Sequence, residues 1–502
     1  MAEDSAPKAG SIRARAVSGV GWVGFSQIAV QLTRMFVAIG VARMLTPSEY
    51  GLAALTLVFA SLVLIFSDLA LGAALVQRKT VTDDDKNTAF WTTVASGVIF
   101  LVLGVALSGP MAGLYGEPDT QPLFAALSVT FVVASLGATQ QALLLRDMAF
   151  RRLELLSVAG AMAGAPIALA LAAAGAGPWA IIGQHIAVAT ATSALMWRAS
   201  DWRPQLRFSK ASLKDLWSFS GFLVGHRLLY YTQQNADNFI IGRWVGSAAV
   251  GAYAIAYQVM LAPASRIGGP IQRVLAPAFS RMQDEPKRIA EAWAKVVRMI
   301  AAISVPALAG VIVVADDFVA VALGSSWAAA APIIQILAWV GILQALQSTN
   351  VDILMARDRT ALMFRFTCLF VVAHVTAFAV GVQWGVTGVA AAYAISSTIV
   401  DPILTIITAR VLGVSPMIFV RAVSGVFQAA IGMMIAVAAA RMALVDADVP
   451  ALARLVLCVA VGAVVYVPLL AWRAPEVVRD TRALLPARFR RGRAPVPATA
   501  ES

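Results

Sequence analysis

Polar side chains recur at helical spacing inside two apolar stretches of this chain. They form two sets 200 positions apart, Gln27, Gln31 and Arg34 in one and Arg227, Tyr231 and Gln234 in the other. Spacings of three and four residues place each set on one helix face. Arginine stays charged and donates paired hydrogen bonds to phosphate, and amide and phenol groups suit sugar hydroxyls. The two faces therefore predict substrate binding in a shared cavity.

The alternative is that both arginines form structural ion pairs with acidic neighbours such as Asp68 or Asp237. A carboxylate inside a membrane is costly and can bind a proton or a cation. Asp68 and Asp237 are therefore candidates for a coupling-ion site, and Asp352 and Asp401 could do the same. For each carboxylate, hydrogen bonding to nearby backbone or to an arginine is the competing interpretation. The pair Asp316–Asp317 is expected in a loop, capping a short turn.

The elements that position these residues are membrane helices. Hydrophobic residues make up 60% of the 502 positions and charged residues only 13%, a composition that excludes a soluble fold. About fourteen apolar spans follow, at 17–43, 50–76, 88–114, 122–145, 155–174, 179–197, 215–242, 248–265, 289–315, 329–355, 361–382, 387–409, 422–440 and 452–472. The sequence thus predicts an all-α polytopic membrane protein.

The net charge of +12 is distributed unevenly over the loops. The loops on one side of the membrane carry nearly all basic residues. The loops on the other side contain only Arg43, Arg243 and Arg441. The positive-inside rule then places both termini in the cytoplasm. This basic charge meets anionic lipid and not nucleic acid, which is excluded as a partner.

A repeat relates the two halves. Arg43 and Gly51 recur 200 positions later as Arg243 and Gly251, each pair at a predicted helix–turn–helix junction. This offset predicts two parallel six-helix repeats plus two extra C-terminal helices. The domains are a cytoplasmic tail (1–16), an N-lobe (17–200), a C-lobe (201–410), spans thirteen and fourteen (411–472) and a basic cytoplasmic tail (473–502). Ala- and Gly-rich residues 160–177 predict close packing of spans five and six.

Several segments are similar to one family. LTPSEYGLAALTLVF, SDLALGAALVQRK, LLLRDMAFRR, NADNFIIGRWVGSAAVGAYAIAYQV and PIQRVLAPAFSRMQ resemble the polysaccharide transporter branch of the MOP flippase superfamily. This branch includes O-antigen, exopolysaccharide and teichuronic acid exporters. The resemblance extends from about residue 15 to about residue 410.

The resemblance implies a flippase, not an enzyme, for undecaprenyl-pyrophosphate-linked oligosaccharide repeat units in the bacterial inner membrane. It implies alternating access between lobes, a proton or sodium gradient as the energy source, and no cofactor or metal. The polar faces, and not the resemblance, assign the residues: Arg34 and Arg227 are expected to bind the pyrophosphate, with Gln31, Tyr231 and Gln234 as sugar contacts. The expected partners are lipid-linked oligosaccharide and membrane lipids, with a polysaccharide polymerase and assembly proteins as further candidates.

Other functions fit parts of the pattern. A multidrug or cation antiporter of the same superfamily is expected to have an acidic cavity, which Arg34 and Arg227 disfavour. A membrane glycosyltransferase or polymerase would be expected to carry a large outside loop, and the predicted outside loops are short. A non-transporting scaffold would have no reason to bury arginines on matched helix faces.

Overall fold

The computed structural model describes residues 37–67, 71–78, 80–214, 231, 234–261, 282 and 285–484. Most of their backbone is helical, and these ranges contain no strand. The helices are α1 (37–44), α2 (Pro47–Ser67), α3 (Leu71–Gln77), α4 (Asp83–Tyr115), α5 (Thr120–Leu127), α6 (Val129–Arg146), α7 (Phe150–Ala173), α8 (Trp179–Ala199), α9 (234–244), α10 (Ser247–Leu261), α11 (Pro286–Ala322), α12 (Ala330–Gln347), α13 (Asn350–Ala356), α14 (Thr360–Gly381), α15 (Gly385–Val411), α16 (Met417–Asp446), α17 (Ala451–Arg473) and α18 (Pro475–Leu484).

Nine helical segments in the described ranges are long and apolar enough to cross a bilayer. One of them, Ala361–Val411, contains both α14 and α15, which a short 3₁₀ turn at Val382–Trp384 separates. The chain is therefore an all-helical multi-pass membrane protein, which confirms the fold class predicted from composition. The count of fourteen spans stays a prediction, because parts of several spans lie outside the described residues.

Local sequence explains where α4 starts and stops. The Thr82 hydroxyl accepts a hydrogen bond from the Asp85 amide at 3.2 Å, and the Asp85 carboxylate accepts one from the Thr82 amide at 3.0 Å. This reciprocal capping box satisfies backbone donors at the helix start. The helix ends at Gly116, whose φ of +70° is the left-handed conformation that glycine adopts without strain. Asp85 also pairs with Arg78 at 2.7 Å.

The fold comprises two compact units. The first is formed by Met1–Val259, Phe318–Leu337 and Thr367–Ser397, and the second by Met260–Asp317, Ala338–Phe366 and Thr398–Ser502. The predicted lobes at 17–200 and 201–410 follow the sequence repeat, and they stay predictions.

Small residues bring α7 and α8 together in the first unit. A methyl group at Gly160 would lie 2.1 Å from Thr192 Oγ1, and one at Gly164 would lie 2.4 Å from a Val188 methyl. Only glycine permits this approach, which is how membrane helices gain packing contacts. The close packing predicted from residues 160–177 is confirmed.

The second unit packs α16 and α17 against α11, a helix of 37 residues. At 1.5 Å per residue, α11 is about 55 Å long and extends beyond the bilayer core. The buried side chains of Trp293 and Leu308 line its packed face. The Tyr466 hydroxyl on α17 donates to the Ala302 carbonyl at 2.7 Å.

The expectation that Asp316–Asp317 lies in a loop is wrong, because α11 continues to Ala322. The Asp317 side chain is 1% exposed and accepts hydrogen bonds from Arg441 on α16, at 2.7 Å, and from Arg454 on α17. Asp316 pairs with Arg441 at 3.1 Å and is more exposed. The acidic pair thus anchors the α16–α17 hairpin to α11, since buried carboxylates require such partners.

Candidate functional site

Three of the eight predicted site residues lie in the described part of the chain: Tyr231, Gln234 and Asp237. The other five, Gln27, Gln31, Arg34, Asp68 and Arg227, lie outside the described residues, and their roles stay predictions. The geometry that follows therefore concerns the polar face of span seven and the helices it touches, all within the first unit.

Tyr231 contacts span two. Its hydroxyl donates a hydrogen bond of 2.8 Å to the backbone carbonyl of Val58 on α2. The Tyr231 carbonyl in turn accepts a bond from the Asn235 side chain at 3.0 Å. A sugar contact by this phenol would therefore replace an existing contact between spans seven and two, so ligand binding and helix packing would compete.

Two polar pairs join α9 to α10. The Tyr257 hydroxyl donates to Gln234 Oε1 at 3.1 Å, and the Tyr253 hydroxyl donates to Asp237 Oδ2 at 2.9 Å. The pairs are three residues apart on α9 and four apart on α10, so they stack along facing sides of two antiparallel helices. Neither tyrosine is among the site residues predicted from the sequence, although their spacing of four residues places them on a single helix face.

Asp237 is the most buried of the three predicted residues, with 2% of its surface exposed. Its second oxygen accepts from the Asn238 amide at 2.8 Å. Within the described ranges no basic side chain pairs with Asp237. A carboxylate in this environment is stable when it carries a proton or holds a cation, because an unpaired buried charge is costly.

Two other membrane carboxylates lie in the second unit. Asp401 on α15 is 4% exposed, and Asp352 on α13 has a buried oxygen without a hydrogen-bond partner among the described residues. They are separate candidates for ion binding.

The predicted repeat is visible in the backbone. One helix ends at Met44 and the next starts at Pro47; 200 positions later the same break recurs between Trp244 and Ser247. The prediction of helix–turn–helix junctions at Arg43–Gly51 and Arg243–Gly251 is confirmed.

The two junctions touch each other at their glycines. A methyl group at Gly51 would lie 1.8 Å from the Ser247 carbonyl oxygen, and one at Gly251 would lie 2.0 Å from the Pro47 carbonyl oxygen. The Ser48 and Ser247 hydroxyls are also 2.9 Å apart. Since Ser247 is the repeat equivalent of Pro47, the contact is symmetric, and the starts of α2 and α10 cross at backbone distance.

More contacts surround this crossing. Trp327, which is 1% exposed, donates from its indole to the Ala42 carbonyl at 2.8 Å, and Arg43 donates to the Val321 carbonyl at 2.9 Å. Gln258 donates to the Tyr50 hydroxyl at 2.9 Å, and the Tyr50 ring packs edge-on against Trp327. Together with the glycine crossing they form what we call the outer seal, at the helix ends that loop charge predicts to lie outside the cytoplasm.

Comparison with known proteins gives a consistent set of matches. A family profile described as "Polysaccharide biosynthesis protein" matches residues 40–332, more than half of the chain. The chain is 28% identical to the teichuronic acid biosynthesis protein TuaB of Bacillus subtilis (strain 168), over 93% of this chain and 97% of that protein. It is 27% identical to the lipopolysaccharide biosynthesis protein WzxC of Escherichia coli (strain K12), over 74% and 76%.

Solved structures share the fold at low identity. The lipid II flippase MurJ, in an inward closed conformation, superimposes with a TM-score of 0.74 at 13% identity, over 91% of this chain and 99% of that one. An inward-facing MATE family multidrug transporter of the MOP superfamily superimposes with a TM-score of 0.62 at 12% identity, over 78% and 98%. At these identities the likeness shows the fold alone.

Proposed function

The chain belongs to the polysaccharide biosynthesis protein family, and we propose that it is a flippase that moves lipid-linked oligosaccharide repeat units across the membrane by alternating access. The observation that carries this proposal is the outer seal. Two repeat-related junctions meet face to face at Gly51 and Gly251, as expected where two halves of a transporter close one end of a path. Opening that end requires that α2 and α10 separate and that the surrounding contacts of the outer seal break.

The seal is suited to reversible opening. It consists of backbone contacts and a few single hydrogen bonds, such as that between Tyr50 and Gln258. Each such bond contributes about 1 kcal/mol, because separated groups regain bonds to water. An ion gradient or substrate binding can supply this much free energy.

The substrate path of this flippase starts at the predicted polar faces. Arg34 and Arg227 bind the pyrophosphate, and Gln27, Gln31, Tyr231 and Gln234 contact sugar. Support comes from the contacts of Tyr231 and Gln234, which use hydrogen-bonding groups on the surfaces that α2, α9 and α10 share. When these helices separate, the same groups become available to a ligand.

The coupling ion, a proton or sodium, binds Asp237 in this proposal. The support is local: the carboxylate is buried, held by the Tyr253 hydroxyl, and without a basic partner among the residues described here. Tyr253 lies on α10 close to Gly251, so a change of charge at Asp237 acts on the helix that forms the seal. Asp68 remains the corresponding candidate in the other repeat.

The proposed setting is the bacterial inner membrane, with both termini in the cytoplasm and the sugar head group moving outward. The protein supplies no bond-breaking chemistry in this scheme, and its partners are the lipid-linked oligosaccharide, the surrounding lipids, and a polysaccharide polymerase with its assembly proteins.

Deleting the gene tests the proposal. Surface polysaccharide should be lost and lipid-linked repeat units should accumulate, and the wild-type gene should restore both. Increased drug sensitivity with normal polysaccharide would instead favour a multidrug antiporter and contradict the flippase.

A further inference from the structure

A cavity of about 670 Å³ lies in the second unit. It is bounded by α11, by the start of α16, and by the junction of α17 with α18. Its polar lining consists of Arg298, Ser415, Arg421, Ser424, Gln428, Arg473 and Glu476. Three arginines therefore face one carboxylate.

Two of these three arginines form no ion pair with a carboxylate of the described residues. Arg298 is 3.5 Å from Asp480, which also pairs with Lys295. Arg421 and Arg473, by contrast, have no carboxylate partner within the described ranges, and the Arg473 guanidinium rests 5.0 Å from the Trp472 ring centre. The cavity thus offers uncompensated guanidinium groups to an anion.

The backbone holds these groups in place. Arg421, Ser424 and Gln428 are three and four residues apart and share one face of α16. A methyl group at Gly425 would lie 2.3 Å from the Arg473 carbonyl oxygen, so glycine lets the end of α17 meet α16 at backbone distance. The cavity also borders the N-terminus of α16, whose helix dipole favours negative charge.

Side chains next to the cavity are typical of the boundary between lipid and water. Trp472 is 72% exposed, and its ring is of the kind that settles at membrane interfaces. Met417 and Val420, which are close to Arg421 on α16, are 49% and 50% exposed. An apolar surface that continues directly into a cationic cavity matches an amphiphile, with its chains along the helices and its head group inside.

We propose that this cavity binds the phosphate-bearing head group of an anionic phospholipid. Guanidinium groups form paired, charge-assisted hydrogen bonds with phosphate oxygens. Basic pockets between membrane helices are a known setting for anionic head groups. The exposed side chains of Met417 and Val420 favour a lipid over free phosphate, because they can pack against an acyl chain and free phosphate has none.

The test uses the full-length protein in neutral detergent, with binding followed by native mass spectrometry and by thermal unfolding. The probes are dioctanoyl phosphatidylglycerol, dioctanoyl phosphatidylcholine and inorganic phosphate. Phosphatidylglycerol should bind at least about tenfold more tightly than either other probe, a difference equal to one charge-assisted hydrogen bond.

Variants locate the site. The double variant R421Q/R473Q should lose about tenfold or more in phosphatidylglycerol affinity, and R421Q alone, at an exposed position, should lose a smaller part. E476Q should bind more tightly, because the carboxylate that repels phosphate is gone. Arg410→Gln is the matched control, an exposed arginine near the end of α15 that does not line the cavity.

Equal binding of the two phospholipids, phosphate binding as tight as lipid binding, or unchanged affinity in R421Q/R473Q and in R421Q would each overturn the proposal. R421Q decides the matter if the double variant does not fold.

Discussion

Gly51 and Gly251 occupy equivalent positions in the two repeats, and each leaves room for the other repeat's backbone. The space at Gly51 is filled by the Ser247 carbonyl, and the space at Gly251 by the Pro47 carbonyl. This reciprocal contact makes the two helix starts a single joint, so its stability determines how often the outer end of the protein opens.

Gly51→Ala and Gly251→Ala should each weaken the outer seal. The added methyl group would meet backbone, not a movable side chain, and such overpacking costs about 1–3 kcal/mol. That cost corresponds to a roughly 5- to 150-fold shift away from the sealed state. Surface polysaccharide should fall and the unfolding temperature should drop, as measured by immunoblotting and by thermal unfolding in detergent.

Gly113→Ala is the control for these variants. Gly113 lies in α4 with no atom within 4 Å of the added methyl group, so alanine should be neutral or slightly stabilising there. Full export by both seal variants would show that α2 and α10 do not need to meet this closely.

Asp237→Asn should abolish the stimulation of transport by an ion gradient while leaving the fold intact. An amide keeps the shape of the side chain but neither takes up a proton nor holds a cation. The measurement is translocation in proteoliposomes with and without an imposed proton or sodium gradient. Gradient stimulation equal to that of the wild type would exclude Asp237 as the coupling site.

Tyr253→Phe should shift the half-saturating concentration of the coupling ion by about tenfold, because Asp237 loses a hydrogen bond worth about 1–2 kcal/mol. Tyr257→Phe is its matched partner. It removes the bond to the neutral amide of Gln234 and should change that concentration much less. If both variants respond alike, the Tyr253–Asp237 bond has no special part in coupling.

Asp317→Asn should loosen the α16–α17 hairpin. Asp317 is 1% exposed and contacts two arginines that are themselves 26% and 19% exposed. The ion pairs of Asp317 are therefore partly screened by solvent. We expect the free energy of unfolding to fall by about 1–3 kcal/mol, less than for a fully buried ion pair. Thermal unfolding measures this loss.

The neighbouring residue provides the comparison. Asp316 is 56% exposed, and Asp316→Asn should cost only about 0–1 kcal/mol. Equal effects of the two substitutions would mean that burial does not determine the strength of this cluster.

Much of the fold was predictable because membrane helices leave a strong signal in sequence. Apolar runs located the spans, and the 200-residue offset located the junctions of α1 with α2 and of α9 with α10. The loop predicted at Asp316–Asp317 is wrong, because two adjacent carboxylates resemble the end of an apolar span in sequence. Their arginine partners lie more than 120 positions away in the chain, a pairing that local sequence does not encode.

The site was less predictable for the same reason. Periodicity predicted that Tyr231 and Gln234 share a polar helix face, but it did not predict which helices they contact. Tyr253 lies in a predicted apolar span, and local sequence does not show that its hydroxyl contacts Asp237. That contact exists because α10 packs against α9. The 200-residue offset relates Gly51 to Gly251, but it does not predict their contact. That contact depends on the crossing of two helices.

Arg34→Ala and Arg227→Ala should each sharply reduce surface polysaccharide at normal membrane expression, since each removes a charged ligand for pyrophosphate. Arg410→Ala, at an exposed position near the end of α15, is the control and should keep export. Normal polysaccharide in both Arg34 and Arg227 variants would remove them from the substrate site.

Translocation of lipid-linked oligosaccharide by the purified protein in proteoliposomes tests the proposed function most directly. The wild type should move the sugar head group across the bilayer faster when an ion gradient is imposed, and the variant R34A/R227A should fall to the rate of protein-free vesicles. A wild-type rate no faster than that of empty vesicles, or a double variant as fast as the wild type, would contradict the cationic flippase path.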